Sequence, residues 1–110
     1  MTQEVRAVTN ETFEQDVVRS QRPVVVDFYA DWCGPCQAVG PIVAELAADY
    51  EGRVEVRKVD IDSNPDLASR FGVRSIPTLI LFKDGAPQET IVGAVPKSQL
   101  SAVIDKYDLK

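Results

Sequence analysis

Cys33 and Cys36 are the only cysteines in the chain, and they stand three residues apart in Asp31-Trp32-Cys33-Gly34-Pro35-Cys36. On a helical turn that spacing brings both sulfurs to one side, within reach of a disulfide. The first turn of a helix also carries unpaired N–H groups and a partial positive charge, which stabilise a thiolate. Cys33 comes first and is expected at the exposed rim, as the attacking thiol. Cys36 lies one turn further in and is expected to be the resolving thiol. Pro35 suits an early helical position, where its missing N–H is not needed, and it stiffens the link between the sulfurs.

Two blander readings of the pair stay open at this point. A zinc site needs four ligands. With two cysteines and no histidine, it would need carboxylates or a second subunit. A purely structural disulfide would close so small a loop that it would restrain the unfolded chain very little.

The flanking segments say where the pair must sit. Val24-Val25-Val26-Asp27-Phe28-Tyr29 reads as a buried strand. Val39, Ile42, Val43, Leu46, Ala47 and Tyr50 fall on one stripe of a helix. The sulfurs therefore stand where a core strand hands over to an amphipathic helix. Asp27 interrupts the apolar strand six residues before Cys33. A carboxylate there must be paired, hydrated or neutral, and desolvation would raise its pKa. It is expected to take the proton of Cys36, through a water, when Cys36 attacks a mixed disulfide. The alternative is an exposed aspartate on an irregular strand. Lys58 is in line with Val54 and Val56; on its own it would simply reach water.

The remaining elements follow in order. Residues 5–8 read as a short edge strand. Thr9 or Asn10 is placed to cap a helix carrying Phe13, Val17 and Val18. Pro23 opens the central strand. A long helix is expected over about 33–51, kinked at Gly40-Pro41 rather than ended there, with Gly52 closing it. A third strand runs through Val54, Val56 and Lys58 to Asp60. Asn64 is placed to cap a short helix opened by Pro65 and stopped by Gly72. Thr78 to Phe82 forms a strand, Lys83-Asp84-Gly85-Ala86 a hairpin turn, and about 89–92 the returning strand. A last helix after Pro96 faces Leu100, Val103, Ile104 and Tyr107 inward. Strands alternating with helices, then a hairpin, predict an α/β fold: a mixed five-stranded sheet with helices on both faces. A site is expected beyond the carboxyl ends of the parallel strands.

The 110 residues, 45% of them hydrophobic, fit one soluble domain over 1–110. A net charge of −5 supplies no basic field for nucleic acid or anionic membrane. No apolar run has the length of a membrane span. The opening Met1-Thr2-Gln3-Glu4 lacks the pattern of a secretion signal, so the expected location is cytoplasmic, where two cysteines serve redox chemistry.

Trp32-Cys33-Gly34-Pro35-Cys36 resembles the active site of the thioredoxin family. Val26-Asp27-Phe28, Pro41, Lys58-Val59-Asp60, Arg74-Ser75-Ile76-Pro77-Thr78, Phe82-Lys83-Asp84-Gly85 and Val92-Gly93-Ala94 continue the resemblance across nearly the whole chain. It implies the thioredoxin fold, a central mixed five-stranded sheet flanked by four helices, with the strand of Asp27 at the centre. It also implies a proton-shuttling role for Asp27, tuned by a paired Lys58. Pro77 alone would be read as trans; the resemblance implies a cis Ile76–Pro77 bond facing the cysteines. Trp32, Gly34, Pro35, Ile61, Ile76, Pro77, Val92, Gly93 and Ala94 are expected to form a flat apolar surface for extended substrate segments. Four positions depart from the family's habit. Gln37 stands where a cation is frequent, Tyr29 where tryptophan is, Ser75 where some relatives have glycine, and Pro96 where a capping Ser or Thr is common.

The expected activity is protein-disulfide reduction, with a redox-active Cys33–Cys36 disulfide and no bound cofactor or metal. The resemblance implies reduction by a flavin-containing, NADPH-dependent thioredoxin reductase. The other expected partners are disulfide-containing proteins, met by a monomer. The rivals are a thiol oxidase or isomerase on the same fold, and an interaction subunit that binds partners whatever its redox state. Gly34-Pro35 between the cysteines resembles the reducing members.

Overall fold

The computed structural model describes residues 5–108. Five strands form one sheet: β1 (Arg6–Ala7), β2 (Val24–Tyr29), β3 (Glu55–Asp60), β4 (Thr78–Lys83) and β5 (Ala86–Val92). Their order is β1-β3-β2-β4-β5. β3 runs parallel to both β1 and β2, whereas β4 is antiparallel to β2 and to β5. A π-helical segment (Glu14–Val18) and three α-helices, α1 (Gly34–Asp49), α2 (Pro65–Arg70) and α3 (Lys97–Asp105), complete it. This is the mixed sheet with four helical segments that the chain's pattern predicts.

Strand alternation sends successive side chains of β2 to opposite faces. Val24, Val26 and Phe28 join Phe13, Val59, Leu67, Ile80 and Phe82 in one core. Val25 packs on the other side with Val43, Leu46, Leu79, Leu81, Leu100 and Ile104. Asp27 shares parity with Val25, so it faces the α1 side and lies beneath the start of that helix.

Pro41 lies inside α1, which runs through it as one helix. The carbonyl of Gln37 loses its helical donor there, but the apolar stripe on both sides keeps the body of α1 on the sheet. α2 ends in a Schellman arrangement: Gly72 has φ +67°, its N–H donates to Ser69 O, and the Val73 N–H donates to Ala68 O. α3 follows Pro96, its N-cap residue, with no side-chain cap. It is fastened to α1 instead, through Lys97 to Glu45 and Asp49 and the Tyr50 hydroxyl to Asp105.

Three local expectations need correction. The first helix is a single π-helical segment that begins at Glu14, and neither Thr9 nor Asn10 caps it with its side chain. Thr12 Oγ1 instead accepts the Thr9 N–H at 2.9 Å, within the turn in which Thr9 O accepts the Phe13 N–H. Asn64 precedes α2 but makes no side-chain cap. Its buried amide accepts from the Asn10 N–H at 3.0 Å and donates to Asp60 O at 3.1 Å, bridging two loops. β5 begins at Ala86, three residues earlier than expected, and contains Pro87. A proline is tolerated there because β5 is an edge. The register also shifts between Leu81 and Phe82, which pair with Glu89 and Pro87 and leave Gln88 as the extra residue.

The β4–β5 turn has Asp84 at φ 53° and Gly85 at φ 81°, the two left-handed residues of a type I′ hairpin. A Cβ on Gly85 would meet the Val18 carbonyl oxygen at 3.0 Å. Gly85→Ala therefore combines a left-handed backbone with a backbone clash. Denaturant unfolding should show a loss of about 1–3 kcal/mol. A neutral result would mean that the turn relaxes freely away from Val18.

Candidate active site

Buried Ala30 follows β2, and the chain turns at once, the Cys33 N–H donating to Ala30 O. Cys33 is the N-cap of α1, with extended backbone (φ −90°, ψ 111°). Its Sγ accepts the Cys36 N–H at 3.2 Å, so sulfur takes the place of the oxygen that usually caps a helix. The Gln37 side-chain amide donates to Asp31 O at 2.9 Å and stitches the loop before the cysteines to the helix after them.

Cys33 and Cys36 form a disulfide with their Cα atoms 5.2 Å apart. No metal-holding group of three or more His, Cys, Asp or Glu occurs among the described residues.

The expectation that Cys33 lies at an exposed rim is overturned: Cys33 and Cys36 are each only 5% exposed. Tyr29, Ile61 and Ile76 pack against the cluster they form with Ala30. What separates the sulfurs is the side on which each sits. Cys33 Sγ lies 3.8 Å from the Ile76 carbonyl oxygen. In the disulfide that sulfur has no hydrogen, so this is a contact rather than a hydrogen bond. Cys36 instead lines a cavity of about 310 Å³ together with Asp27, Lys58, Tyr29 and Asp31.

Asp27 is buried, and its Oδ1 has no hydrogen-bond partner. Desolvation pushes its pKa up to about 7 from 3.8, while the charge of Lys58 pulls the other way. The two residues are register partners on β2 and β3. The close Asp27–Lys58 pair that the resemblance implies is not formed among the described residues; the Lys58 ammonium lies over the Tyr29 ring, 5.7 Å from its centroid.

The Ile76–Pro77 bond is cis, and Pro77 O accepts the Gly93 N–H at 2.8 Å, bringing the end of β5 beside the loop. Val92 pairs with Thr78 and is 57% exposed, and Trp32 is 70% exposed. Gly34, Pro35 and Ala94 are exposed; Ile61, Ile76 and Gly93 are half-buried. Sequence reasoning missed Asp62, whose Oδ2 accepts the Trp32 indole N–H at 2.8 Å. An exposed aspartate carries no signal by itself. Its position just beyond the carboxyl end of β3, next to the strand that leads to the cysteines, is the one clue the chain held.

Comparison with known proteins bears on the same residues. The family model described as Thioredoxin matches residues 4–106. Thioredoxin 1 of Synechococcus elongatus is 54% identical over 101 residues, covering 92% of this chain and 94% of the relative. Thioredoxin of Pseudomonas aeruginosa is 50% identical over 105 residues, covering 96% and 97%. Thioredoxin M-type, chloroplastic, of Triticum aestivum is 45% identical over 104 residues, covering 94% of this chain and 59% of the relative. A family model spanning almost the whole chain, relatives at half identity and a disulfide at the opening of a helix agree, and the chain belongs to the thioredoxin family.

Proposed function

We propose that Cys33 is the attacking thiolate and Cys36 the resolving thiol of this protein-disulfide reductase, with Asp27 as proton acceptor. As a member of its family the chain is a thiol-disulfide oxidoreductase. The observation that carries the assignment of roles is the asymmetry of the two sulfurs. Cys33 Sγ receives a backbone N–H at the positive end of α1. Cys36 faces the cavity that holds Asp27.

In the reduced protein the Cys33 thiolate attacks one sulfur of a substrate disulfide. A Cys33–substrate bond forms, the substrate S–S bond breaks, and one substrate thiolate leaves. Cys36 then loses its proton toward Asp27 and attacks Cys33 Sγ. The Cys33–Cys36 disulfide forms and the second substrate thiolate leaves. The substrate gains two electrons and the protein loses two.

A desolvated carboxyl with a pKa of about 7 suits this proton transfer, because it is poised between accepting and releasing near neutral pH. Lys58 tunes that poise through its charge. The substrate strand lies against Trp32, Gly34, Pro35, Ile61, Ile76, Val92, Gly93 and Ala94, above the buried Pro77, with the backbone of Ile76 available for pairing.

Reset of the disulfide is assigned to an NADPH-dependent thioredoxin reductase, the protein acting as a monomer. A dithiol that serves as reductant needs a reducing compartment, which supports the cytoplasmic reading. No helix among the described residues is long and apolar enough to cross a membrane.

The test is reduction of insulin disulfides driven by NADPH and a thioredoxin reductase. The wild-type protein is expected to turn over and Cys33→Ser to show none. Turnover by Cys33→Ser would remove the assignment.

A further inference from the structure

Among the described residues Lys58 is the one cation lining the cavity beneath Cys36. Its side chain starts directly opposite Asp27 in the β2–β3 register. A lysine stem is three methylenes longer than that of aspartate, so an ammonium set opposite a carboxyl must fold back or pass it. Here it passes. The ammonium lies over the ring of Tyr29, two residues or about 6.6 Å further along β2, toward the carboxyl ends of the strands. The face of a phenol ring carries negative quadrupole charge and attracts an ammonium. Lys58 and Tyr29 are both half-buried, so the ammonium over that ring also keeps access to water. Asp27 Oδ1 is left buried and unpartnered.

Other titratable groups surround Asp27. Cys36 faces it from α1, Asp31 lines the cavity from the loop beyond β2, and Tyr29 flanks it on its own strand. Asp60, the register partner of Tyr29, stands further out on β3.

We propose that Tyr29 is a positioning residue: its ring holds the Lys58 ammonium away from Asp27 and so keeps that carboxyl free of a contact counterion. The inference rests on the proposed role of Asp27, and it makes the tyrosine, at a position where tryptophan is frequent, part of the proton-handling apparatus. With the ring gone, Lys58 settles onto Asp27, whose carboxyl then holds its charge at lower pH and accepts the Cys36 proton less readily.

The oxidised protein gives a clean test, because its disulfide does not titrate and the ¹³C shift of the Asp27 carboxyl follows Asp27 itself. Tyr29→Leu is expected to lower the Asp27 midpoint by about one pH unit, as a new opposite charge at contact distance does. Tyr29→Phe keeps a ring face and should leave the midpoint in place. In the K58M background Tyr29→Leu should produce no lowering. An unchanged midpoint in Tyr29→Leu overturns the proposal. So does an equal lowering in the K58M background, which would assign the effect to water entering the space left by the ring. If Tyr29→Leu does not fold, the wild-type protein still decides. Its Lys58 side-chain protons should show the upfield ring-current shift of a group held over an aromatic face, and ordinary lysine shifts would overturn the proposal. None of these readouts needs turnover, so their failure is separate from failure of the insulin assay.

Discussion

Cys36→Ser is expected to turn a catalyst into a trap. The serine keeps the backbone N–H that reaches Cys33 Sγ, so the Cys33 thiolate remains stabilised at the start of α1 and still attacks substrate disulfides. It lacks the sulfur needed for the second displacement, and the mixed disulfide persists. Turnover of insulin should fall by at least about 10³-fold, the scale on which an essential nucleophile is lost. At the same time a stoichiometric protein–substrate adduct should appear on non-reducing gels and by mass spectrometry, at a rate close to that of the wild-type first step. Cys33→Ser should give neither turnover nor adduct. The opposite pattern, with the adduct formed only by the protein that retains Cys36, would exchange the two roles.

Asp27→Asn is expected to raise stability and lower activity together. The sign follows from proton binding. Asp27 has a folded pKa of about 7 against 3.8 for an ordinary aspartate. Between those values the native state holds a proton that the unfolded chain has released. Stability therefore falls as pH rises through that window and stays low above it. A shift of roughly three units corresponds to about 4 kcal/mol. Asparagine has the shape of the protonated acid and never ionises, so it should match the wild type near pH 4. Near pH 8 it should be more stable by a few kcal/mol, about 2–4. Urea denaturation at the two pH values reads this directly. Resolution of a mixed disulfide, measured by release of a thiol reporter, should slow by about 10²-fold and lose its inflection near pH 7. Equal stability at pH 8 would mean that Asp27 is solvated in the native state. An unchanged rate of resolution would remove it from the proton path.

Much of this arrangement could be read from residue types. The apolar run ending in Tyr29 and the stripe from Val39 to Tyr50 placed the cysteines between the central strand and α1, because burial and periodicity are local signals. The Asp84-Gly85 turn was legible for the same reason: few residues other than glycine and Asn or Asp accept a positive φ. Asp27 stood out because a charge inside an apolar strand asks for an explanation. What could not be read was the outcome of competition between partners distant in the chain. Asn64 has the chemistry of a cap, but the Asn10 N–H and Asp60 carbonyl claim its amide. Lys58 and Asp27 have complementary charges, but stem length and an aromatic ring separate them. Cys33 has the right position for a rim, but Ile61 and Ile76 fold over the pair. The Asp62–Trp32 bond spans 30 positions of sequence, and neither residue advertises the other.

The shallow recess of Cys33, 5% exposed with Ile61 and Ile76 packed against its cluster, has a consequence for which proteins can be reduced. A sulfur set below its surroundings cannot meet a disulfide lying flush in the surface of a rigid, well-folded partner. The partner must lift a short stretch of chain around its own cystine and lay it across the opening. With Cys33 as the proposed attacking sulfur, targets are expected to rank by how easily each one frays locally, so that a loosely folded protein should be reduced faster than a compact one with the same bond.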